Sequence, residues 1–202
     1  MTNTIFTLNS PCSRPSISPH CERVKRLVTL ARFEHIVRVA ILAETIARAN
    51  GFCEGDIRAT ALAAVLHDAA RDLSEAELLR LAPPENALEQ KHPLAVHGRA
   101  ARRLAESWGI GDLRVLDAVE GHVFGVSHDN RIGMAVYIAD VSEPGRGVNA
   151  DIRELAMRDL AKAYGRAVDS KVRYLRAQGK AVHPSTLKVH RELYDAAPDA
   201  VS

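Results

Sequence analysis

Six residues of this chain are of types that can do chemistry together. His35 lies near the start of a long helical pattern, and His67 and Asp68 are adjacent near the end of a second. His97 falls in a later helical stretch, His122 opens a loop, and Asp140 closes an apolar run. Asp68 comes just after A-L-A-A-V-L, and Asp140 follows M-A-V-Y-I-A. A carboxylate there is costly to bury unless it is paired or bound to a cation. Imidazole nitrogen with carboxylate oxygen is a donor set for a divalent first-row metal. No cysteine is placed to complete a structural thiolate zinc site. A carboxylate can also bridge two cations. Six donors therefore allow a pair ~3.5–4 Å apart, which would lower the pKa of a shared water and stabilise charge on a phosphoryl group.

Helix geometry extends this surface. At ~100° per residue, His67 and Arg71 fall on nearly one side, as do Asp68 and Asp72. A guanidinium at Arg71 can grip phosphate bidentately but cannot act as a general acid, its pKa lying above ~12. His128, in the loop after His122, is a candidate for touching substrate. His20, His92, His183 and His190 read as structural or surface residues.

The elements that must position these residues are helical. R-F-E-H-I-V-R-V-A-I-L-A-E-T-I-A-R-A-N (32–50) carries an apolar stripe through Phe33, Ile36, Val37, Ala40, Ile41, Ala43 and Ala47, with Gly51 as its stop. A second helix is expected over about 56–70, with Asp56 as N-cap. Ser74 and Glu77 fit a capping box opening a short helix that ends before Pro83-Pro84. Further helices are expected over about 93–108, 112–121 and 151–178, and from about Pro184 onward, while 131–142 reads as an apolar helix or a turn-rich segment. Residues 121–130, with Gly121, Gly125, Ser127, Asp129 and Asn130, read as a loop. Alternating strand patterns, repeats and a glycine-rich phosphate loop are absent from the sequence.

Composition agrees. The chain has 202 residues, of which 47% are hydrophobic, 26% charged and only 4% aromatic. That predicts one globular domain, all-α and able to bury a core, rather than a disordered polyelectrolyte. Its nine histidines equal Phe, Tyr and Trp combined, at four, four and one. A net charge of +2 is too mild to argue for nucleic acid. No apolar run approaches the ~18–20 residues of a membrane span. Residues 1–19 show no basic start with an apolar stretch behind it, and so no secretory signal. They are rich in Ser, Pro, Thr and Asn and are expected to form a flexible arm. Residues 20–195 are expected to form the domain, and 196–202 a tail. Cys12, Cys21 and Cys53 are odd in number without C-x-x-C spacing, so free thiols in a reducing cytoplasm are expected.

The pattern resembles the HD-domain metal-dependent phosphohydrolases, and within them the YqeK-type symmetrical bis(5′-nucleosyl)-tetraphosphatases. The matching pieces are R-F-E-H at 32–35, L-H-D-A-A-R-D-L-S at 66–74, H-G at 97–98, His122, Y-I-A-D at 137–140 and E-P-G-R at 143–146. Lys180–Leu187, with His183-Pro184 inside it, also matches. Together they span roughly residues 20–195.

The resemblance implies an all-α HD-domain helical bundle with a dinuclear metal site. His35, His67, Asp68 and Asp140 would hold one ion, and Asp68 would bridge to a second held by His97 and His122. Iron is the implied metal, with manganese, cobalt or zinc as alternatives. Hydroxide activated there would attack phosphorus, splitting diadenosine tetraphosphate into two ADP. Asp68, Arg71 and Asp72 are the implied catalytic set, and Arg71, His128 and Arg146 the substrate contacts. A dinucleoside polyphosphate or other nucleotide is the expected partner, and a homodimer the expected assembly. Alternatives are a phosphohydrolase acting on a nucleoside monophosphate or a guanosine alarmone, and a non-catalytic nucleotide-binding regulatory module. Three positions depart from the pattern. Arg71 stands where lysine is usual, Val123-Phe124 where two threonines precede the glycine, and Met134 where a lysine is frequent.

Overall fold

The computed structural model describes residues 10–195. Positions 1–9 of the expected arm and the expected tail, 196–202, lie outside the described residues. The described chain is all-α, without a strand. Its helices are α1 (Ser18–Lys25), α2 (Leu30–Ala49), α3 (Glu54–Leu66), α4 (Glu75–Leu81), α5 (Ala87–Lys91), α6 (His97–Ser107), α7 (Leu113–Gly121), α8 (Arg131–Ser142), α9 (Ala150–Ala156), α10 (Leu160–Ala177) and α11 (Pro184–Asp195). No described helix is long and apolar enough to cross a membrane.

The centre of the bundle is α2, packed against α3 and α8, with α7 and α10 closing around α8. Small residues make this close approach possible. Ala40, Ala43 and Ala47 of α2, Ala61 and Ala64 of α3, and Ala135 and Ala139 of α8 are all fully buried. Larger groups fill the gaps between them, among them Ile36, Ile46, Leu66, Ile138, Tyr137 and Tyr164. Thr29 caps α2 by accepting from the Arg32 N–H at 3.3 Å. Gly51 ends the helix in the left-handed region (φ +68°), a conformation that favours glycine. Ile41 departs from the expected stripe and lies exposed at 41%.

Other boundaries shift for local reasons. Cys53, not Asp56, caps α3, its sulfur accepting from the Asp56 N–H at 3.5 Å. After Leu66 the chain leaves the α-helix and runs through tighter turns, closed by Ala69 N–H to Leu66 O and Arg71 N–H to Asp68 O. The expected helix to residue 70 therefore stops four residues early. Ser74 and Glu77 form the capping box as expected. The helix expected over 93–108 begins as a 3₁₀ turn, Pro93–Val96, before α6. The long helix expected over 151–178 breaks into α9 and α10, because Asp159 caps a new start by accepting from the Lys162 N–H at 2.9 Å.

Residues 10–19 do not form a flexible arm. Ser10 caps a 3₁₀ turn, Pro11–Ser13, and Cys12 and Ile17 are buried. Arg14 meets Glu44 of α2 at 2.5 Å. Cys12 and Cys21 form a disulfide, their Cα atoms 5.8 Å apart. The turn between them supplies the spacing that such a bond needs. Free thiols were expected for all three cysteines, yet among them only Cys53 is free. Cysteine usage thus no longer argues for a reducing compartment.

Candidate metal centre

Five helices deliver the six residues to one place. His35 comes from the second turn of α2. His67 and Asp68 follow α3, His97 opens α6, His122 follows α7, and Asp140 lies in the last turn of α8. Three of the histidines are set by one local device. The ring Nδ1 lies against the carbonyl three residues back, His67 on Ala64 O at 2.6 Å, His97 on Leu94 O at 2.6 Å and His122 on Val119 O at 2.7 Å. Each sits at the end of a helical turn, within reach of the carbonyl one turn back. A carbonyl only accepts, so Nδ1 carries a proton, and in the neutral ring Nε2 is left as a bare lone pair.

His35 reaches the same state by a different route. Its Nδ1 donates to Glu143 Oε1 at 3.1 Å. Burial works against the Glu143 charge, but the Arg38 guanidinium, His35 and the Gly145 N–H outweigh it and hold the carboxyl down at about 2. Ionised, Glu143 can only accept. A hydrogen-bonded carboxylate behind an imidazole fixes the tautomer and raises its strength as a ligand.

The four Nε2 atoms converge on two carboxylates. His35 Nε2 is 3.0 Å from Asp140 Oδ1 and 3.9 Å from Asp68 Oδ2. His67 Nε2 is 3.6 Å from Asp68 Oδ2 and 3.8 Å from Asp140 Oδ1. The other Asp68 oxygen, Oδ1, faces His97 at 3.2 Å and His122 at 3.5 Å. Asp68 thus turns one oxygen to each half of the cluster, as a bridging ligand would.

Three observations fit these residues to metal ions. His67 Nε2 is fully buried and has no hydrogen-bond partner. The Nε2 atoms of His97 and His122 lie 3.0 Å apart, two lone pairs facing each other when both rings are neutral. Sets of three donors, His35–His67–Asp140 and His67–Asp68–His122, each fall within 4.8 Å. The electrostatics agree. Burial opposes charge at Asp68 and Asp140, yet the surrounding imidazoles, with Arg146 at Asp140, hold both carboxyls well below their ordinary range. His67 is buried too, but the two carboxylates outweigh that burial and raise it. His122 is pushed down to about 4, chiefly by burial. The cluster calls for positive charge at its centre and turns four Nε2 atoms toward it.

The remaining expected residues divide. Arg146 lies on the cluster, its guanidinium meeting Asp140 Oδ1 at 2.5 Å. Arg71 is half-buried, with no carboxylate at salt-bridge distance among the described residues. Asp72 is not brought into the cluster. Its carboxylate accepts from the backbone N–H and hydroxyl of Thr29, at 2.8 and 2.9 Å, and so holds the start of α2. His128 is exposed, and its ring makes no hydrogen bond or ion pair among the described residues.

Two residues that were not expected belong here. Glu143 fixes His35, and Arg32 donates to Asp68 Oδ2 at 2.9 Å. Both lay inside quoted motifs, Glu143 heading E-P-G-R and Arg32 heading R-F-E-H. A charge three residues from a proposed ligand was the signal available.

Phe124, at one of the departing positions, stacks on His183 with ring centroids 3.6 Å apart. A separate cavity of about 710 Å³ reaches that stack and is also lined by Arg99, Arg131 and Ser185. None of the six cluster residues lines it.

Comparison with known proteins agrees with this geometry. A family model described as the HD domain matches residues 32–166. A symmetrical bis(5′-nucleosyl)-tetraphosphatase of Bacillus subtilis is 27% identical, covering 84% of this chain and 93% of that protein. The Staphylococcus aureus protein of that name is 32% identical over 67% of this chain and 73% of its own length. A Mycoplasma genitalium protein named as a probable nicotinate-nucleotide adenylyltransferase/Ap4A hydrolase is 28% identical, and this chain spans 42% of its length. In fold, the chain is similar to a crystal structure described as a predicted HD superfamily hydrolase involved in NAD metabolism, from Clostridium acetobutylicum. The TM-score is 0.80 at 24% identity, covering 89% of this chain and 97% of that one.

Proposed function

Because the chain belongs to the HD-domain family, we propose that it is a metal-dependent phosphohydrolase that cleaves dinucleoside tetraphosphates symmetrically, giving two ADP from diadenosine tetraphosphate. The observation that carries this reading is the placement of Asp68, with one carboxylate oxygen toward His35 and His67 and the other toward His97 and His122. The names of the Bacillus and Staphylococcus relatives support the substrate class.

His35, His67, Asp68 and Asp140 would hold one divalent ion, and His97 and His122 a second, sharing Asp68. Iron is the proposed metal, from the family resemblance. Ions bound there would supply an activated water and offset charge on the phosphoryl oxygens.

The chain's own groups do the rest. The i−3 carbonyls and Glu143 lock all four imidazoles with Nε2 free. Arg32 steadies Asp68, and Asp72 acts at one remove by fixing the Thr29 cap from which Arg32 follows. Arg71, half-buried and without a carboxylate partner among the described residues, is the phosphate grip. Arg146 sits at the rim on Asp140, where it can meet a substrate oxygen. His128, exposed as it is, could reach only a part of the substrate remote from the cluster.

A panel of metal-loaded reactions tests the reading. Diadenosine tetraphosphate should be turned over at least tenfold faster than nucleoside monophosphates or guanosine alarmones. Preference for either of those would move the substrate while keeping the site. Nucleotide binding without turnover of any of them would leave a regulatory module instead.

A further inference from the structure

We propose that Lys171 of α10 is a further substrate-binding residue, contributing a cation that grips the phosphate chain beside the metal cluster. The inference rests on the phosphohydrolase reading and adds a residue to it.

Helix α10 touches the loop after His122 at two points. Tyr164 accepts from the Val126 N–H at 2.6 Å and donates to Val126 O at 2.8 Å. Two turns on, Lys171 Nζ donates to the carbonyl of Val123, the residue next to His122. The same Nζ lies 5.6 Å from the centroid of the Tyr137 ring, one turn before Asp140 on α8.

An ammonium has three N–H groups, and Val123 O takes one. The other two have no acceptor among the described residues. Apart from Arg71, the arginines at the cluster and beside Glu89 are already committed. Arg32 is on Asp68, Arg38 on Glu143, Arg146 on Asp140 and Arg99 on Glu85 and Glu89. Lys171 has no carboxylate at salt-bridge distance among the described residues, yet Asp140 and His183 both lie close enough to exchange charge effects with it. Its Nζ is thus held beside the residue that follows His122 and against the ring one turn before Asp140.

A partly buried ammonium with spare donors is under-solvated, and it gains from an anion that brings its own oxygens. A phosphate chain lying on the cluster carries such oxygens. Burial lowers the Lys171 amine to about 8 against the pull of Asp140, so near neutral pH the charged form still prevails. A compact ammonium suits this place, since it acts as a point charge without the planar fork of a guanidinium.

Inorganic tripolyphosphate is the probe, because it has the phosphate chain without nucleosides. On metal-loaded protein, saturating tripolyphosphate should protect Lys171 from reductive methylation, as read by peptide mass spectrometry. Lys171→Met should weaken tripolyphosphate binding about tenfold or more and raise KM for diadenosine tetraphosphate similarly, with metal content unchanged. Lys171→Arg should recover most of both.

An unprotected Lys171, or Lys171→Met with the wild-type tripolyphosphate Kd, overturns the proposal. So does loss of metal in parallel with loss of binding, which would make Lys171 only a staple for the His122 loop. The protection experiment uses the unaltered protein and decides the matter even where Lys171→Met fails to fold. Protection of Lys171 without cleavage of diadenosine tetraphosphate would sink the substrate reading alone. Cleavage to ADP with Lys171 unprotected would sink this proposal alone.

Discussion

His97 and His122 present their Nε2 atoms to each other at 3.0 Å, while each Nδ1 is committed to a backbone carbonyl. With both rings neutral, two acceptors at that distance repel, and a metal ion between them would relieve the repulsion. Loading with ferrous or manganous ion should raise Tm, by an amount equivalent to about 2.7 kcal/mol when free metal is 100-fold above Kd. A melting curve unmoved by metal or chelator would contradict the assignment.

Asp68 divides its oxygens between the two halves of the cluster, so its loss should be felt by both. Asp68→Ala is expected to abolish bound metal almost completely. His122→Ala should remove about one equivalent and leave the His35–His67–Asp140 side loaded. Metal analysis of the two variants decides this, and equal losses in both would mean that the halves are not separate.

Glu143 acts through His35. Glu143→Gln keeps the shape but loses the charge that fixes the tautomer, and should weaken metal binding about 10- to 100-fold. The pH dependence has a definite sign. The carboxyl is held down from 4.5 to about 2, so its contribution to stability is complete above pH 4.5 and is lost as pH falls toward 2. The stability gap between wild type and Glu143→Gln should therefore close across that window. A gap that widened there would count against Arg38 and His35 as its cause.

Arg71→Lys replaces a fork with a point charge. If Arg71 grips phosphate bidentately, KM should rise or kcat fall by about tenfold. Unchanged kinetics would make Arg71 a solvated side chain with no part in substrate binding.

The Cys12–Cys21 bond ties the Pro11 turn to α1 across a separation of nine residues. A loop of that size is worth roughly 2–3 kcal/mol through the unfolded chain. Cys12→Ser with Cys21→Ser, or reduction of the wild type, should lower Tm accordingly. Equal Tm in oxidised and reduced protein would show that the N-terminal turn melts independently.

That His35, His67, Asp68, His97, His122 and Asp140 would meet was legible because metal chemistry restricts residue type, and their order along the chain carried the information. Helical periodicity likewise located α2 and α7, and the Ser74–Glu77 capping box located α4. What failed was set by contacts that periodicity does not encode. The stop of α3 at Leu66 depends on the tighter turns that present His67 and Asp68. The Asp159 cap divides one apolar stripe into α9 and α10. Residues 10–19 look like a polar arm by composition, but Ile17, the disulfide and the Arg14–Glu44 pair anchor them. Asp72 shares a motif with Asp68, yet Thr29, 43 positions away in sequence, claims its carboxylate. Lys171 lies outside every motif and is placed by the packing of α10 alone.

The most direct test is the product ratio from diadenosine tetraphosphate with metal-loaded protein, resolved by anion-exchange chromatography at early times. The symmetrical reading predicts ADP as the sole nucleotide product. Equimolar ATP and AMP would contradict it.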